Sequence, residues 1–281
     1  MELLHHVIEH AVMDSLKMLP FLFAAFLLLE ALENVSEKVS AFLLEKVGKA
    51  GPIVGAVLGC IPQCGFSVMA SNFYAGGMIT VGTLLAVFLA TSDEAVLLMI
   101  TQPQSSGEIL KLLAVKVAIA IVAGYLVDIF LGKKITEKKE MDEICHDCGC
   151  HDSHGILIPA IRHTVKIFIY ILVFTMILSA VIEIVGIEQL SAYLLGDTIF
   201  QPVAAAVIGL IPNCVASVML TQLYIAGAIT FPSVVAGLCS SAGIAMVVLF
   251  KMNHHRKENI KILGALLAIA VIAGMVLQIF M

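Results

Sequence analysis

The sequence predicts an all-α integral membrane protein with about ten transmembrane segments, arranged as two inverted-topology repeats that each contain broken or re-entrant helices. Composition is the first observation behind this prediction. Of the 281 residues, 60% are hydrophobic and 13% are charged, and the mean hydropathy is +1.03. Soluble domains carry roughly 25% charged residues, so this chain is suited to a lipid bilayer.

An internal repeat is the second observation. The stretch 59–77, GCIPQCGFSVMASNFYAGG, aligns without a gap with the stretch 209–227, GLIPNCVASVMLTQLYIAG, at an offset of 150 residues. From residue 52 to residue 80, 14 of 29 positions hold the same residue as the position 150 further on. Apolar composition alone would not align proline, cysteine, serine, tyrosine and glycine in register, so we infer a duplication.

Long apolar runs flank both copies of the repeated block. Each run approaches the roughly 20 residues that cross the hydrocarbon layer as a helix. The runs span residues 18–32, 110–132, 164–186 and 261–281. Each half is therefore predicted to contain an anchor, a central block and a second anchor. These boundaries divide the chain into a first repeat at 1–132, a His/Cys-rich loop at 133–163 and a second repeat at 164–281.

The distribution of Lys and Arg predicts how the segments are oriented. Loops rich in Lys and Arg remain in the cytoplasm, and equivalent loops of the two halves differ in basic residues. The rule predicts cytoplasmic positions for 33–50, 133–163 and 251–260, and external positions for 101–109 and 187–200. Both termini then face outward, each half crosses an odd number of times, and the halves are inverted relative to each other.

The central block of the first half, residues 51–100, is too long for a single crossing. Its length predicts a re-entrant hairpin followed by one crossing, or three short crossings. Pro62 lacks an N–H and Gly65 permits a turn, so the PQCG stretch is predicted to interrupt a helix. A second polar interruption, ATSDEA at 90–95, corresponds to SSAGIA at 240–245.

Interrupted helices cannot expose their free backbone groups to lipid, so these interruptions are predicted to line an interior cavity where a transporter binds substrate. The alternative is that proline and glycine only kink the helices, that each cysteine is an apolar filler, and that the hydroxyls pack helices together. Cys60 and Cys239 have no cysteine partner in the repeat and are assigned to packing. The candidate substrate ligands are the amides, thiols and hydroxyls of Gln63, Cys64, Ser67, Thr91, Ser92, Asn213, Cys214, Ser217, Ser240 and Ser241.

Asp93 and Glu94 lie inside an otherwise apolar run, where a carboxylate costs several kcal/mol. Their equivalents in the second half are Gly243 and Ile244, so this acidity belongs to the first half alone. We expect at least one of the two carboxylates to couple transport to a proton or a sodium ion. The alternative is a structural contact, such as capping the helix segment that follows.

The central loop contains the stretch CHDCGCHDSHG, which concentrates soft metal ligands. A Cys-x-x-Cys pair with further Cys and His suits Zn(II), Cu(I) or a trivalent metalloid. A flexible Cys-rich tract can also bind metal adventitiously, and a disulfide is not expected in a reducing cytoplasm. The candidate metal ligands are Cys145, His146, Cys148, Cys150, His151 and His154.

The repeated IPQC and IPNC stretches, the TSDE interruption and the His/Cys-bearing loop resemble the bacterial and archaeal family of ten-transmembrane heavy-metal exporters. The resemblance covers nearly the whole chain, and the family is related by name to arsenic permeases. It implies a ten-pass protein of a prokaryotic plasma membrane. It also implies a metal or metalloid substrate, since arsenic efflux and manganese transport are both used as labels for the family.

Two transporter classes remain open at this stage. A metal or metalloid exporter would use thiols near the midplane, whereas an oxyanion or organic-anion transporter would use helix N-termini, amides and hydroxyls. An enzyme is not expected, because the H-E-x-x-H motif is absent and no His lies in the repeated blocks. The sequence contains no nucleotide-binding loop, so an ion gradient or a separate ATPase subunit would supply the energy for transport. It also contains no basic stripe, so nucleic acid is not an expected partner. The expected partners are the bilayer, a small inorganic ion or metalloid and, in a homo-oligomer, further copies of the chain.

Overall fold

The structure of the chain is a computed structural model. It describes residues 16, 19–20, 22–24, 26–27, 50–61, 64–100, 106–131, 157–185, 200–253 and 255–280. All regular secondary structure in these ranges is helical. The described part of the chain is therefore all-α, as its composition and long apolar runs predict.

Eleven helices are bounded within the described ranges. In the first half they are α1 Ala50–Gly59, α2 Gly65–Ala75, α3 Val81–Ala90, α4 Asp93–Ile100 and α5 Ser106–Leu131. In the second half they are α6 Leu157–Val185, α7 Gln201–Gly209, α8 Cys214–Ile225, α9 Phe231–Ser240, α10 Ile244–Met252 and α11 Arg256–Phe280. Each of α1 to α5 recurs 150 residues later as α7 to α11, with ends that agree within two residues.

Three described segments are long and apolar enough to cross a membrane: Gly107–Phe130, Phe231–Met252 and Arg256–Phe280. The first and last confirm the apolar runs predicted at 110–132 and 261–281. The middle segment contains both α9 and α10. The helix that holds the 164–186 run, α6, begins at Leu157, so its first turns extend into the stretch predicted as the loop at 133–163. The run at 18–32 is described only in part.

Local sequence explains where the short helices begin. Thr80 precedes α3, and its side-chain oxygen accepts a hydrogen bond from the backbone N–H of Thr83 at 3.1 Å. Asn213 precedes α8, and its Oδ1 accepts from the N–H of Val215 at 3.4 Å. The first turn of α9 contains Pro232, which lacks an N–H that would need a partner there. Polar residues and proline thus start helices in a chain that is otherwise apolar.

Two short helices form the centre of the molecule. All ten residues of α9 are buried, and every residue of α3 after the first is buried. The long helices α5 and α11 pack against α3 and α9 respectively, and α3 also contacts α9. Along their outer sides α5 and α11 expose apolar side chains at matching positions, a surface suited to hydrocarbon. These side chains are Val122, Leu126 and Ile129 on α5, and Ile272, Val276 and Ile279 on α11.

The two halves exchange contacts reciprocally. Helix α2 of the first half packs against α10 of the second, and the equivalent helix α8 packs against α4 of the first half. Ser71 on α2 strengthens the first of these contacts, because its hydroxyl donates to the backbone oxygen of Ala245 at 2.8 Å. The halves are therefore interlocked, and the interruptions between the short helices lie within this shared packing.

Candidate functional site

Six gaps separate the short helices, three in each half, and four of them coincide with the predicted polar stretches. These four, called the interruptions, include the described residues 60, 61 and 64 before α2, 91–92 before α4, 210–213 before α8 and 241–243 before α10. Each places the C-terminal carbonyls of one helix beside the N-terminal amides of the next. Carbonyl ends attract cations, and amide ends attract anions. An interior site at these positions could therefore bind either a cation or an anion, and its selectivity would depend on the side chains.

Close helix packing joins the interruptions within each half. Gly59 ends α1, and a Cβ at this position would lie 2.6 Å from the backbone oxygen of Val87 and 2.9 Å from the Cβ of Ala90. Its equivalent Gly209 ends α7 against the backbone of Gly237, one turn before the end of α9. In each half, the first interruption thus lies beside the second.

Lys116 joins the two halves. This lysine on α5 is 0% exposed, and its Nζ donates hydrogen bonds to the backbone oxygen of Thr91 and, at 3.0 Å, to that of Leu238. The first oxygen is at the end of α3 and the second is near the end of α9. The Lys116 side chain thus connects the end of α3 in the first half with the end of α9 in the second half.

The two predicted thiols occupy equivalent places. Cys64 directly precedes α2 and Cys214 is the first residue of α8, and both are half-buried. Ser67 donates its hydroxyl proton to the backbone oxygen of Cys64 at 2.9 Å, and Ser217 donates to that of Cys214 at 2.8 Å. The repeat in sequence is thus a repeat in local geometry. Each thiol lies at the start of a short helix, and a serine hydroxyl bonds to the backbone of its first turn.

The hydroxyls at the second interruption of each half also donate to backbone. The hydroxyl of Thr91 donates to Val87 O at 2.7 Å, and that of Ser92 donates to Ala90 O at 3.0 Å. In the second half, Ser240 donates to Ala206 O at 2.7 Å. Ser241 directly follows α9 and is buried. The hydroxyl protons of Thr91, Ser92 and Ser240 point to carbonyls. The lone pairs on these hydroxyl oxygens are therefore the groups that can coordinate a cation or accept a hydrogen bond from a ligand.

Several predicted site residues lie wholly or partly outside the described part of the structure. Gln63 lies outside the described residues, whereas Asn213 is buried and caps α8. Asp93 and Glu94 begin α4, but their side chains lie outside the described part of the structure. The loop candidates Cys145, His146, Cys148, Cys150, His151 and His154 also lie outside it. Within the described part of the chain, no group of three or more His, Cys, Asp or Glu side chains could hold a metal ion.

Lys116 was missed by the sequence analysis, although a signal for it exists. The hydropathy of the run at 110–132 predicts an apolar anchor, yet an ionisable residue inside such a run usually marks a function. Its equivalent in the second half is Leu266, which is also fully buried. The lysine, like Asp93 and Glu94, therefore distinguishes the first half from the second.

Two tyrosine–glutamate hydrogen bonds, also missed, link the halves reciprocally. The hydroxyl of Tyr74 donates to Glu258 Oε1 at 2.9 Å, and that of Tyr224 donates to Glu108 Oε2 at 2.7 Å. Tyr224 is the repeat equivalent of Tyr74, and Glu258 is the equivalent of Glu108. Each pair ties the end of a short helix in one half to the start of a long helix in the other.

Further hydrogen bonds tie the start of each central helix to the end of a long helix. The Thr80 hydroxyl donates to Asp128 Oδ2 at 2.8 Å, and the Gly82 N–H donates to Asp128 Oδ1 at 2.8 Å. In the second half, the Thr230 hydroxyl donates to Gln278 Oε1 at 3.1 Å. The start of α3 therefore lies beside the end of α5, and the start of α9 lies beside the end of α11.

Comparison with known proteins identifies one family. The ArsP_2 family model, described as "Putative, 10TM heavy-metal exporter", matches residues 4–193 and 174–281. The two matched segments together extend over nearly the entire chain. No curated protein and no solved structure matches the sequence of this chain.

Proposed function

The chain belongs to the ArsP_2 family of ten-transmembrane heavy-metal exporters, and from this premise we propose that it is a secondary transporter that exports a soft metal ion or metalloid. The observation that carries the proposal is the repeated thiol at the start of an interior half-helix, Cys64 in one half and Cys214 in the other. Thiols are the side chains that soft metals select. Around them we assign substrate contacts to the amides and hydroxyls predicted from the sequence, namely Gln63, Ser67, Thr91, Ser92, Asn213, Ser217, Ser240 and Ser241.

An inverted arrangement of the two halves is part of the proposal. The first face of the molecule contains Tyr74 and Thr80, which a short turn joins, together with their partners Glu258 and Asp128. Helix α11 therefore starts at this face, near Glu258, whereas α5 ends at it, near Asp128.

The second face contains the repeat equivalents of these residues, and the helices that start and end there are exchanged. It contains Tyr224 and Thr230 with their partners Glu108 and Gln278, so α5 starts there and α11 ends there. Equivalent helices thus run in opposite directions between the faces. Inverted repeats of this kind support alternating access, in which one repeat moves against the other around a fixed site.

The short helices support a re-entrant hairpin followed by one interrupted crossing. Gly51, near the start of α1, lies against Thr83, and Gly59, at its end, lies against Thr91. Helix α1 thus runs alongside α3 from the first face into the interior, and α2 returns to that face at Tyr74. With about 15 Å per ten residues, each of these helices covers half of the hydrocarbon layer. The pair α3 and α4 would complete the crossing.

The hydroxyl geometry favours a metal over an oxyanion. An oxyanion needs N–H or O–H donors, but the described hydroxyls of Ser67, Thr91 and Ser240 direct their protons to backbone oxygens. Their lone pairs remain available, and those suit a positively charged substrate. The oxyanion alternative rests on the amide ends of α2, α4, α8 and α10, and it predicts transport of phosphate or arsenate.

Coupling and delivery complete the proposal. We assign coupling to a proton or sodium ion to Asp93 and Glu94, whose backbone starts α4 at the interior interruption. The basic residues Lys251, Arg256 and Lys257 near the first face indicate that this face is cytoplasmic. The His/Cys-rich loop at 133–163 would then bind a soft metal ion on the side from which the exporter takes its substrate.

Reconstitution into liposomes tests this function directly. We expect uptake of a soft metal ion or of arsenite into inside-out vesicles, driven by a proton or sodium gradient, and no uptake of phosphate or arsenate. The D93N or E94Q variant should lose the gradient dependence, because a neutral amide neither releases a proton nor holds a cation by charge. Protein-free liposomes provide the baseline. Uptake of arsenate or phosphate without uptake of metal would support the oxyanion alternative instead.

Membrane orientation is tested by thiol labelling in intact cells. A membrane-impermeant maleimide should not reach Cys145, Cys148 or Cys150 until the cells are permeabilised, since the loop that contains them is assigned to the cytoplasm. A cysteine introduced by E2C should react without permeabilisation. Labelling of the loop in intact cells would show that the assigned orientation is wrong.

A further inference from the structure

A buried lysine joins the carbonyl ends of two short helices, one from each half. Lys116 is fully buried, and its Nζ donates to the backbone oxygens of Thr91 and Leu238, the latter at 3.0 Å. The proposed thiol site does not use this lysine. The presence of a buried lysine in an apolar helix therefore needs a separate explanation.

The two acceptors have the chemistry of a cation site. Thr91 directly follows α3, and Leu238 lies in the last turn of α9, so both oxygens belong to the negative ends of helix dipoles. Carbonyls at the ends of interrupted helices are the groups that coordinate sodium ions in other membrane transporters. Here they come from equivalent helices of the two repeats.

We propose that the carbonyl ends of α3 and α9 form a monovalent-cation site, which the chain fills with its own Lys116 ammonium group. The lysine is a tethered cation: it neutralises both helix ends, holds the two halves together and keeps free ions out. The equivalent position in the second half is Leu266, so the site is filled once, from the first half.

This inference concerns stability, and it does not require the proposed substrate to be correct. Removing the ammonium group leaves two buried carbonyls without their charged donor, which costs stability. If those carbonyls form a cation site, a small free ion can replace the lost group once the side chain no longer fills the space. If they do not, no ion will restore what the substitution removes.

The test is thermal unfolding of purified protein in detergent, without any heavy metal. Four salts are compared at equal ionic strength: sodium, potassium, methylammonium and the bulky N-methylglucamine chloride. We expect the midpoint of K116A in N-methylglucamine to lie about 5 °C or more below that of the unmodified protein. At least one of the small cations should restore at least half of that loss.

Two variants serve as matched controls. K116M removes the charge but fills most of the space, so its midpoint should fall without selective recovery in any salt. Lys111 lies on the same helix with its Nζ 4.5 Å from the ring centre of Phe231, outside the proposed cation site. The K111A variant should therefore not distinguish among the four salts, and neither should the unmodified protein.

The outcomes that overturn the proposal are equally defined. They are an unchanged midpoint in K116A, or a lowered midpoint that is the same in all four salts. Failure of K116A to fold when it is produced in cells and purified in potassium would also count against it, because cellular potassium should then fill the vacated site. A failed transport assay leaves these measurements unaffected, so the two proposals can fail separately.

Discussion

Replacing Cys214 with serine is expected to reduce transport of a soft metal or metalloid by at least about tenfold, the lower limit for disturbing a metal's ligand environment. The C64S variant should show a comparable loss. Serine preserves approximate size and hydrogen bonding but replaces a soft sulfur with a hard oxygen. The measurement is initial uptake rate into liposomes at matched protein content.

The fold should survive both substitutions. Cys64 and Cys214 are half-buried, and their backbone oxygens accept hydrogen bonds from Ser67 and Ser217 in the adjacent turns. A serine side chain leaves these hydrogen bonds in place. A loss of transport with an unchanged unfolding midpoint would therefore indicate a ligand rather than a packing residue.

Cys60 provides the matched control for the thiol prediction. It is half-buried like Cys64 and lies four residues earlier, but its equivalent in the second half is Leu210, so it has no place in the repeated site. The C60S variant should keep full transport. If C64S and C214S also transport normally, the thiol assignment is wrong and the oxyanion alternative becomes the stronger one.

The sequence predicts the helical organisation well because its signals are local. Pro, Gly, Cys and Tyr recur at an offset of 150, and the same offset relates α1 to α5 with α7 to α11. Helix ends at Ala90 and Ser240 follow from the polar TSDE and SSAG stretches. Residues that start or end helices are visible in a single sequence, so these elements could be identified without a structure.

The start of α6 was harder to predict, for a physical reason. An apolar run measures how much of a helix the hydrocarbon layer covers, not how long the helix is. Helix α6 begins at Leu157 and includes Arg162 and Lys166 in its first turns. Those charged side chains are compatible with a helix that extends beyond the apolar layer.

Contacts between the halves could not be predicted from local patterns. Tyr74 and Glu258 are 184 positions apart, and nothing near either residue indicates the other. Lys116 is different, because one lysine inside an apolar run was already a sign of function. Its partners, the backbone oxygens of Thr91 and Leu238, have no sequence signal at all, since every residue has a carbonyl.

The second large effect is expected from adding one methyl group to α7. In G209A the new Cβ would lie 2.9 Å from the carbonyl carbon of Gly237 and would also clash with the carbonyl oxygen of that residue and with the hydroxyl of Ser240. Backbone cannot turn aside as a flexible side chain can, so α7 must move away from α9. That movement would break the 2.7 Å hydrogen bond from Ser240 to Ala206, which joins α9 to α7, while the 2.9 Å contact of Ser240 with Gly237 O inside α9 would remain.

Overpacking of this kind typically costs about 1–3 kcal/mol, and more where backbone must shift. We therefore expect G209A to lower the unfolding midpoint by about 5 °C or more, or to yield little folded protein. The matched control is G264A on α11, since a Cβ on Gly264 would meet nothing within 4 Å. Because alanine also favours helix over glycine, G264A should be neutral or slightly stabilising. Equal midpoints for the two variants would mean that α7 and α9 do not approach as closely as Gly209 and Gly237 permit, and the convergence of the interruptions in the second half would lose its support.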